Sequence, residues 1–64
     1  MMLTIRPILL TNTDDKKIVL NANLIISVIP HRKGTEVCIT DVSYYVHEFI
    51  VQETPEEINH ILKQ

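Results

Sequence analysis

The 64-residue sequence contains a single glycine, Gly34, and a single cysteine, Cys38. One glycine excludes a glycine-rich phosphate loop. One cysteine excludes an internal disulfide, and a lone thiol suits a reducing compartment. No stretch approaches the ~20 apolar residues that a membrane-spanning helix needs, so no membrane insertion is expected. Asn-x-Ser/Thr acceptor sites are also missing. The opening "MMLTIRPILL" does not read as a secretory signal, because Arg6 and Pro7 split its apolar run and no small-residue cleavage site follows. The expected setting is cytoplasmic.

These absences bear on stability. A chain of this length forms one domain, taken as residues 1–64, and buries only about 60% of the surface its unfolded form exposes. Ordering costs roughly 1.5 kcal/mol per residue, so domains of this size lean on disulfides, a metal or a second subunit. The apolar fraction, 45%, is ordinary for a globular protein. Without a disulfide or a metal motif, self-association is the expected staple.

What is present reads as strands and one helix. "LTIRPILL" is a first strand in which Pro7 favours an edge or a bulge. "TNTDDKK" is a polar turn whose Asx and Thr side chains bond their own backbone. "KIVLN" is a second strand, "ANL" a bend or single helical turn, and "IISVIP" a third strand ended by Pro30. "HRKGT" is a hairpin loop carrying the one residue that enters positive φ freely. "TEVCIT" alternates, Val37 and Ile39 against Glu36, Cys38 and Thr40. "DVSYYVHEFIVQE" begins with turn chemistry at Asp41 and Ser43. It continues as a strand with Tyr45, His47, Phe49 and Val51 on one face.

The chain then turns helical over residues 55–63. Thr54 suits the N-cap and Pro55 the N1 position, where its missing N–H costs nothing. Glu57 at N3 completes a capping box. Glu56 and Glu57 lie at the positive end of the helix dipole and Lys63 at the negative end. Ile58, Ile61 and Leu62 form one apolar stripe. So short a helix is unstable alone and must pack; a lid over the sheet is the expected role, with partner docking compatible.

Residues able to carry chemistry are few. His31, His47 and His60, with Cys38, do not match the ligand spacing of zinc sites, and solvated or locally bonded histidines are the simpler reading. Cys38 lies mid-strand without an evident base. Asp14, Asp15, Glu56 and Glu57 occupy a turn and a helix start, both of which favour acids for local reasons. No catalytic residue, metal or cofactor is expected. Arg6, Lys16, Lys17, Arg32 and Lys33 could form a basic patch for nucleic acid around the His31–Lys33 loop, but the net charge of −2 argues against a strong phosphate footprint.

The blocks "LNANLI" and "VQETPEEI" carry a family likeness. Through Leu20, Asn21, Leu24, Ile25 and Val28, then Val51, Glu53, Thr54, Glu57 and Ile58, the chain resembles the FlbD-like family of small flagellar and swarming-motility proteins over residues 3 to 63. That resemblance implies a non-enzymatic protein of bacterial motility or its regulation. The strand–"L/I"–strand–helix order is also similar to half of a LytTR-type DNA-binding domain, which supports the nucleic-acid alternative.

The sequence thus predicts an α+β domain. Four or five antiparallel strands form a meander or partly open barrel, with one C-terminal helix. The expected function is a non-catalytic interaction or assembly module, self-associating and binding a protein partner. Tyr44, Tyr45 and His47 are the expected contact residues because aromatics anchor interfaces. Ile58 and Leu62 are added from the helix.

Overall fold

A computed structural model describes residues 4–41 and 43–64. Five strands, a single 3-10 turn and one helix follow in order. They are β1 (Pro7–Thr11), β2 (Lys17–Asn21), the turn Ala22–Leu24, β3 (Ile25–His31), β4 (Gly34–Thr40), β5 (Val46–Val51) and α1 (Pro55–Leu62). β1 and β2 form an antiparallel ribbon; β3, β4 and β5 form an antiparallel sheet with β4 in the centre. This is the open α+β arrangement expected from the sequence.

The two sheets meet at one end. Asn12 forms a bridge with Val51, and the Gln52 N–H donates to the Thr11 carbonyl at 2.8 Å. The strand order therefore runs β2-β1-β5-β4-β3 through a single bridge, and the sheet does not close into a barrel.

Register assigns every side chain to a face, since directly opposed residues on neighbouring strands share one. On the ribbon, Ile8 opposes Leu20 and Leu10 opposes Ile18; these look inward. On the sheet, Val28 opposes Val37, which opposes Phe49, and Thr35 opposes Val51. The core is Ile8, Leu10, Leu20, Val37, Val51 and Ile58, with Ile61 and Leu62 packed against it. α1 thus lids the core through the stripe read from its spacing. Ile58 is fully buried within its own chain, which leaves it no surface for a partner, and Leu62 is half-buried.

The helix start matches its local code. The Thr54 hydroxyl accepts from the Glu57 N–H at 3.1 Å and the Glu57 carboxylate accepts from the Thr54 N–H at 3.0 Å, with Pro55 opening the helix. The first turn also follows expectation: the Asn12 side-chain oxygen accepts from the Asp14 and Lys16 N–H groups at 2.9 and 3.0 Å.

Several boundaries differ from the expected ones. β1 begins at Pro7, which occupies the first strand position, where its lost donor matters least; Leu3 lies outside the described residues. β3 runs through Pro30 to His31, which pairs with Gly34, so the hairpin loop shrinks to Arg32 and Lys33. β3 pairs only with β4, and an edge strand tolerates a proline whose missing N–H would point outward. Ile26 is an extra residue in β3, where Ile25 and Ser27 oppose the consecutive Ile39 and Cys38.

Gly34 is required where it stands. Its φ is 141°, and a Cβ there would lie 2.0 Å from the Val51 carbonyl oxygen and 3.0 Å from Gln52 backbone atoms. Backbone from β4 and the β5–α1 junction meets there with no room for a side chain.

Candidate interaction surfaces

The loop between β4 and β5 is organised by one carboxylate. One Asp41 oxygen accepts from the Ser43 N–H at 2.8 Å and the Tyr45 N–H at 3.2 Å; the other lies 2.9 Å from His47 Nε2. The Asp41 and Tyr45 backbones bond at 3.1 Å, and the Tyr44 N–H donates to the Asp41 carbonyl at 3.0 Å. Hydrogen bonds from His47 and from the Ser43 and Tyr45 amides hold the Asp41 carboxyl below its ordinary value, against partial desolvation.

Within this frame Tyr44 has φ 65°, a left-handed conformation uncommon outside glycine. The frame sets two tyrosines outward, Tyr44 89% and Tyr45 71% exposed. Of the expected trio, each member bonds Asp41, Tyr44 and Tyr45 through backbone N–H groups and His47 through its ring. His47 differs in role: it opposes Ile39 on the core-facing side of the sheet and braces the loop rather than standing beside the tyrosines.

Two further apolar faces were not anticipated as surfaces. The outer face of the ribbon carries Leu9 opposite Val19, 59% and 63% exposed, with Lys17 opposite Thr11 beside them. The outer face of the sheet carries the row Ile29–Glu36–Ile50 and next to it Ser27–Cys38–Glu48, then Thr40 opposite Val46. Alternation in "PILLT" and "VHEFIV" signals both, because each strand has apolar residues on its two faces.

The basic residues do not form one patch. Arg6 is drawn to the end of α1, where its guanidinium donates to the Ile61 carbonyl at 3.4 Å and to the Gln64 carbonyl. A cation suits the negative end of a helix dipole. Lys33 lies instead at the opposite end of the sheet, where it lines a shallow depression of about 470 Å³ with Thr13 and Gln52. Lys16 lies in the β1–β2 turn, Lys17 opens β2 and Arg32 lies in the β3–β4 loop. Acids share that end: the Gln52 side-chain amide donates to the Asp15 carboxylate at 2.6 Å.

Glu53, matched in sequence only as part of a block, ties the fold together. Its carboxylate accepts from the Thr11 N–H at 2.8 and 3.1 Å and from the Thr11 hydroxyl at 2.8 Å. Its carbonyl accepts from the hydroxyl of the fully buried Thr35 at 2.6 Å. Partial burial pushes the Glu53 carboxyl up, but the Thr11 hydrogen bonds and nearby Lys17 outweigh it and hold the group below its ordinary value.

The remaining candidates stay apart. His31 accepts from the Lys33 N–H at 3.1 Å and braces the hairpin, while His60 stands in the last turn of α1. Among the described residues, no group of three or more His, Cys, Asp or Glu side chains is placed to hold a metal ion. No helix among them is long and apolar enough to cross a membrane. A cleft of about 230 Å³ between β3 and α1, lined by Val28, Pro55, Ile58, Asn59 and Leu62, is mostly aliphatic. Compared with models of known families, with curated proteins and with solved structures, the chain matches none.

Proposed function

We infer that the protein is a non-catalytic interaction and assembly module that associates with copies of itself and presents an aromatic loop to a protein partner. The observation that carries this is a balance. Among the described residues, eight large hydrophobic or aromatic side chains are exposed, against seven hydrophobic residues buried. Scattered exposed apolar groups need no explanation, but contiguous ones mark contact surfaces. Here the exposed run is Tyr44, Tyr45 and Val46, while Ile29 and Ile50 lie farther along Val46's face, set apart by Glu36 and Glu48. A domain of this size gains most from covering such a face.

The tyrosine loop is the anchor in this reading. Tyr supplies large contact area with few rotatable bonds, and a loop already fixed by Asp41 loses little freedom on binding. Replacing Tyr44 and Tyr45 together with Ala should weaken self-association at least tenfold in sedimentation, a loss of about 1.4 kcal/mol, while the melting midpoint of the monomer holds. Unchanged association would remove the anchor. The FlbD-like resemblance of "LNANLI" and "VQETPEEI" supports a setting in bacterial motility or its regulation, and the lone thiol of Cys38 supports a cytoplasmic one.

A second reading rests on Lys33, which lines one depression with Thr13 of the β1–β2 turn. Phosphate binding there would give affinity that falls steeply with salt. Asp14 and Asp15 in the same turn oppose it. No shift with mixed DNA and RNA at low salt would dismiss this alternative.

A further inference from the structure

Strand edges carry unpaired backbone groups that invite another strand, and proteins blunt them. Here the strand order leaves β2 and β3 as edges, and β1 is met on its far side only near Thr11 and Asn12. β3 is blunted twice, by Pro30, which has no N–H, and by the extra residue Ile26. The far side of β1 is blunted as well. Pro7 lacks an N–H, and the Glu53 carboxylate takes the Thr11 N–H at 2.8 Å. β2, Lys17–Asn21, has neither a proline nor a bulge. Lysine is a common guard of such an edge, but the Lys17 ammonium reaches the other way, across to β1. It donates at 2.7 Å to the Thr11 hydroxyl, which donates in turn to the Glu53 carboxylate at 2.8 Å.

The backbone groups along β2 can be assigned from the same contact. The Thr11 N–H points to Glu53 and away from β2, so the opposed Thr11 and Lys17 exchange no ladder bonds. Alternation extends this to Leu9 with Val19 and to Pro7 with Asn21. The N–H and C=O groups of Lys17, Val19 and Asn21 therefore point outward from the ribbon. No other strand among the described residues meets them.

We propose that two copies pair edge to edge, β2 against β2 in antiparallel sense, about a two-fold axis at Val19. The proposal rests on the self-association inferred above and adds a contact separate from the tyrosine loop. Centring on Val19 is the register that pairs every residue of the strand. Val19 meets Val19, Ile18 meets Leu20, and Lys17 meets Asn21 of the second copy. It also keeps the two Lys17 side chains apart, whereas centring on Lys17 would set like charges opposite each other. The Val19 pair and both Lys17–Asn21 pairs then exchange backbone bonds, the source of affinity in strand addition. Side chains agree with the pairing. On the outer side Leu9 and Val19, 59% and 63% exposed, join their counterparts in one row across the axis. On the inner side the half-buried Ile18 gains Leu20 of the second copy as a neighbour. Two ribbons become one sheet in the order β1-β2-β2-β1, and a sheet of more than two strands is the more stable form. The two-fold closes, so this contact alone builds a dimer and not a filament.

Amide exchange and one pair of charged variants test it. In the unaltered chain, exchange at the Val19 N–H should slow as concentration rises from low to high micromolar; a free edge leaves it fast throughout. Val19→Lys and Val19→Glu each set like charges on the axis. Val19 is exposed, so both chains should keep the circular dichroism of the unaltered one. Should either lose it, the exchange measurement decides alone. In sedimentation each variant by itself should associate about fivefold more weakly or worse, and their equimolar mixture should recover the loss. Weakened variants with no recovery in the mixture overturn the axis at Val19. Unchanged association in both, with a Val19 amide that exchanges fast at every concentration, overturns edge pairing and leaves self-association through the tyrosine loop standing. An unaltered chain that stays monomeric removes both.

Discussion

Two carboxylates in this small fold are held below their ordinary range, and they do opposite work. Glu53 bonds to Thr11, 42 residues away, and its carbonyl to Thr35, 18 residues away. Among the described residues, the Asp41 carboxylate bonds only to groups within six residues. The first joins β1, β4 and the entry to α1, and closes the structure. The second shapes the β4–β5 loop, and none of its partners Ser43, Tyr45 and His47 belongs to the core. A depressed carboxylate therefore marks order in both places, but only the span of its hydrogen bonds tells whether that order is global or local.

The largest effect should come at the closed end. Gly34→Ala places a methyl group against the Val51 carbonyl at 2.0 Å, where only backbone displacement could relieve it. A loss above about 4 kcal/mol is expected, enough to unfold a marginal domain, and a proton spectrum without dispersed amides would show it. A folded Gly34→Ala chain would mean that the junction is looser than its contacts imply.

Glu53→Gln comes next. The amide keeps one acceptor oxygen and loses the charge, so about 1–2 kcal/mol should disappear, read from a urea midpoint shift with unchanged slope. The pH dependence follows from the same group. Its folded-state pKa lies below the unfolded value, so the unfolded chain binds more protons in acid. Stability is then complete above the ordinary carboxylate range and falls as pH drops through the depressed value. Urea midpoints measured from neutral pH into acid should decline, and Glu53→Gln should flatten that decline more than Asp41→Asn does.

The smallest effect on stability belongs to the open end. Asp41→Asn should leave the melting midpoint close to that of the unaltered chain, because its partners are local and exposed. Amide exchange at Ser43 and Tyr45 should speed up, and self-association should weaken with it. If Asp41→Asn lowered the melting midpoint as far as Glu53→Gln, the contrast between the two ends would collapse.

The division between local and long-range bonding also decides what the sequence made legible. The capping box of α1, the Asn12 turn, the second strand and the alternation of β4 are written in neighbouring residues, and the structure has them as expected. Asp41 and Ser43 announced their turn for the same reason. Glu53 did not announce its role, since nothing near it in sequence points to Thr11. Arg6 read as part of a basic patch because its partner, the end of α1, lies more than 50 residues on. The left-handed Tyr44 carried no signal, as tyrosine rarely adopts that conformation. Pro30 suggested a strand end, whereas an edge position let the strand continue.

The most direct test of the account is the mass of the unaltered chain in sedimentation equilibrium, from low to high micromolar concentration. The exposed apolar faces predict a weight-average mass that climbs above 7.4 kDa with concentration. A mass that stays at 7.4 kDa throughout would contradict it.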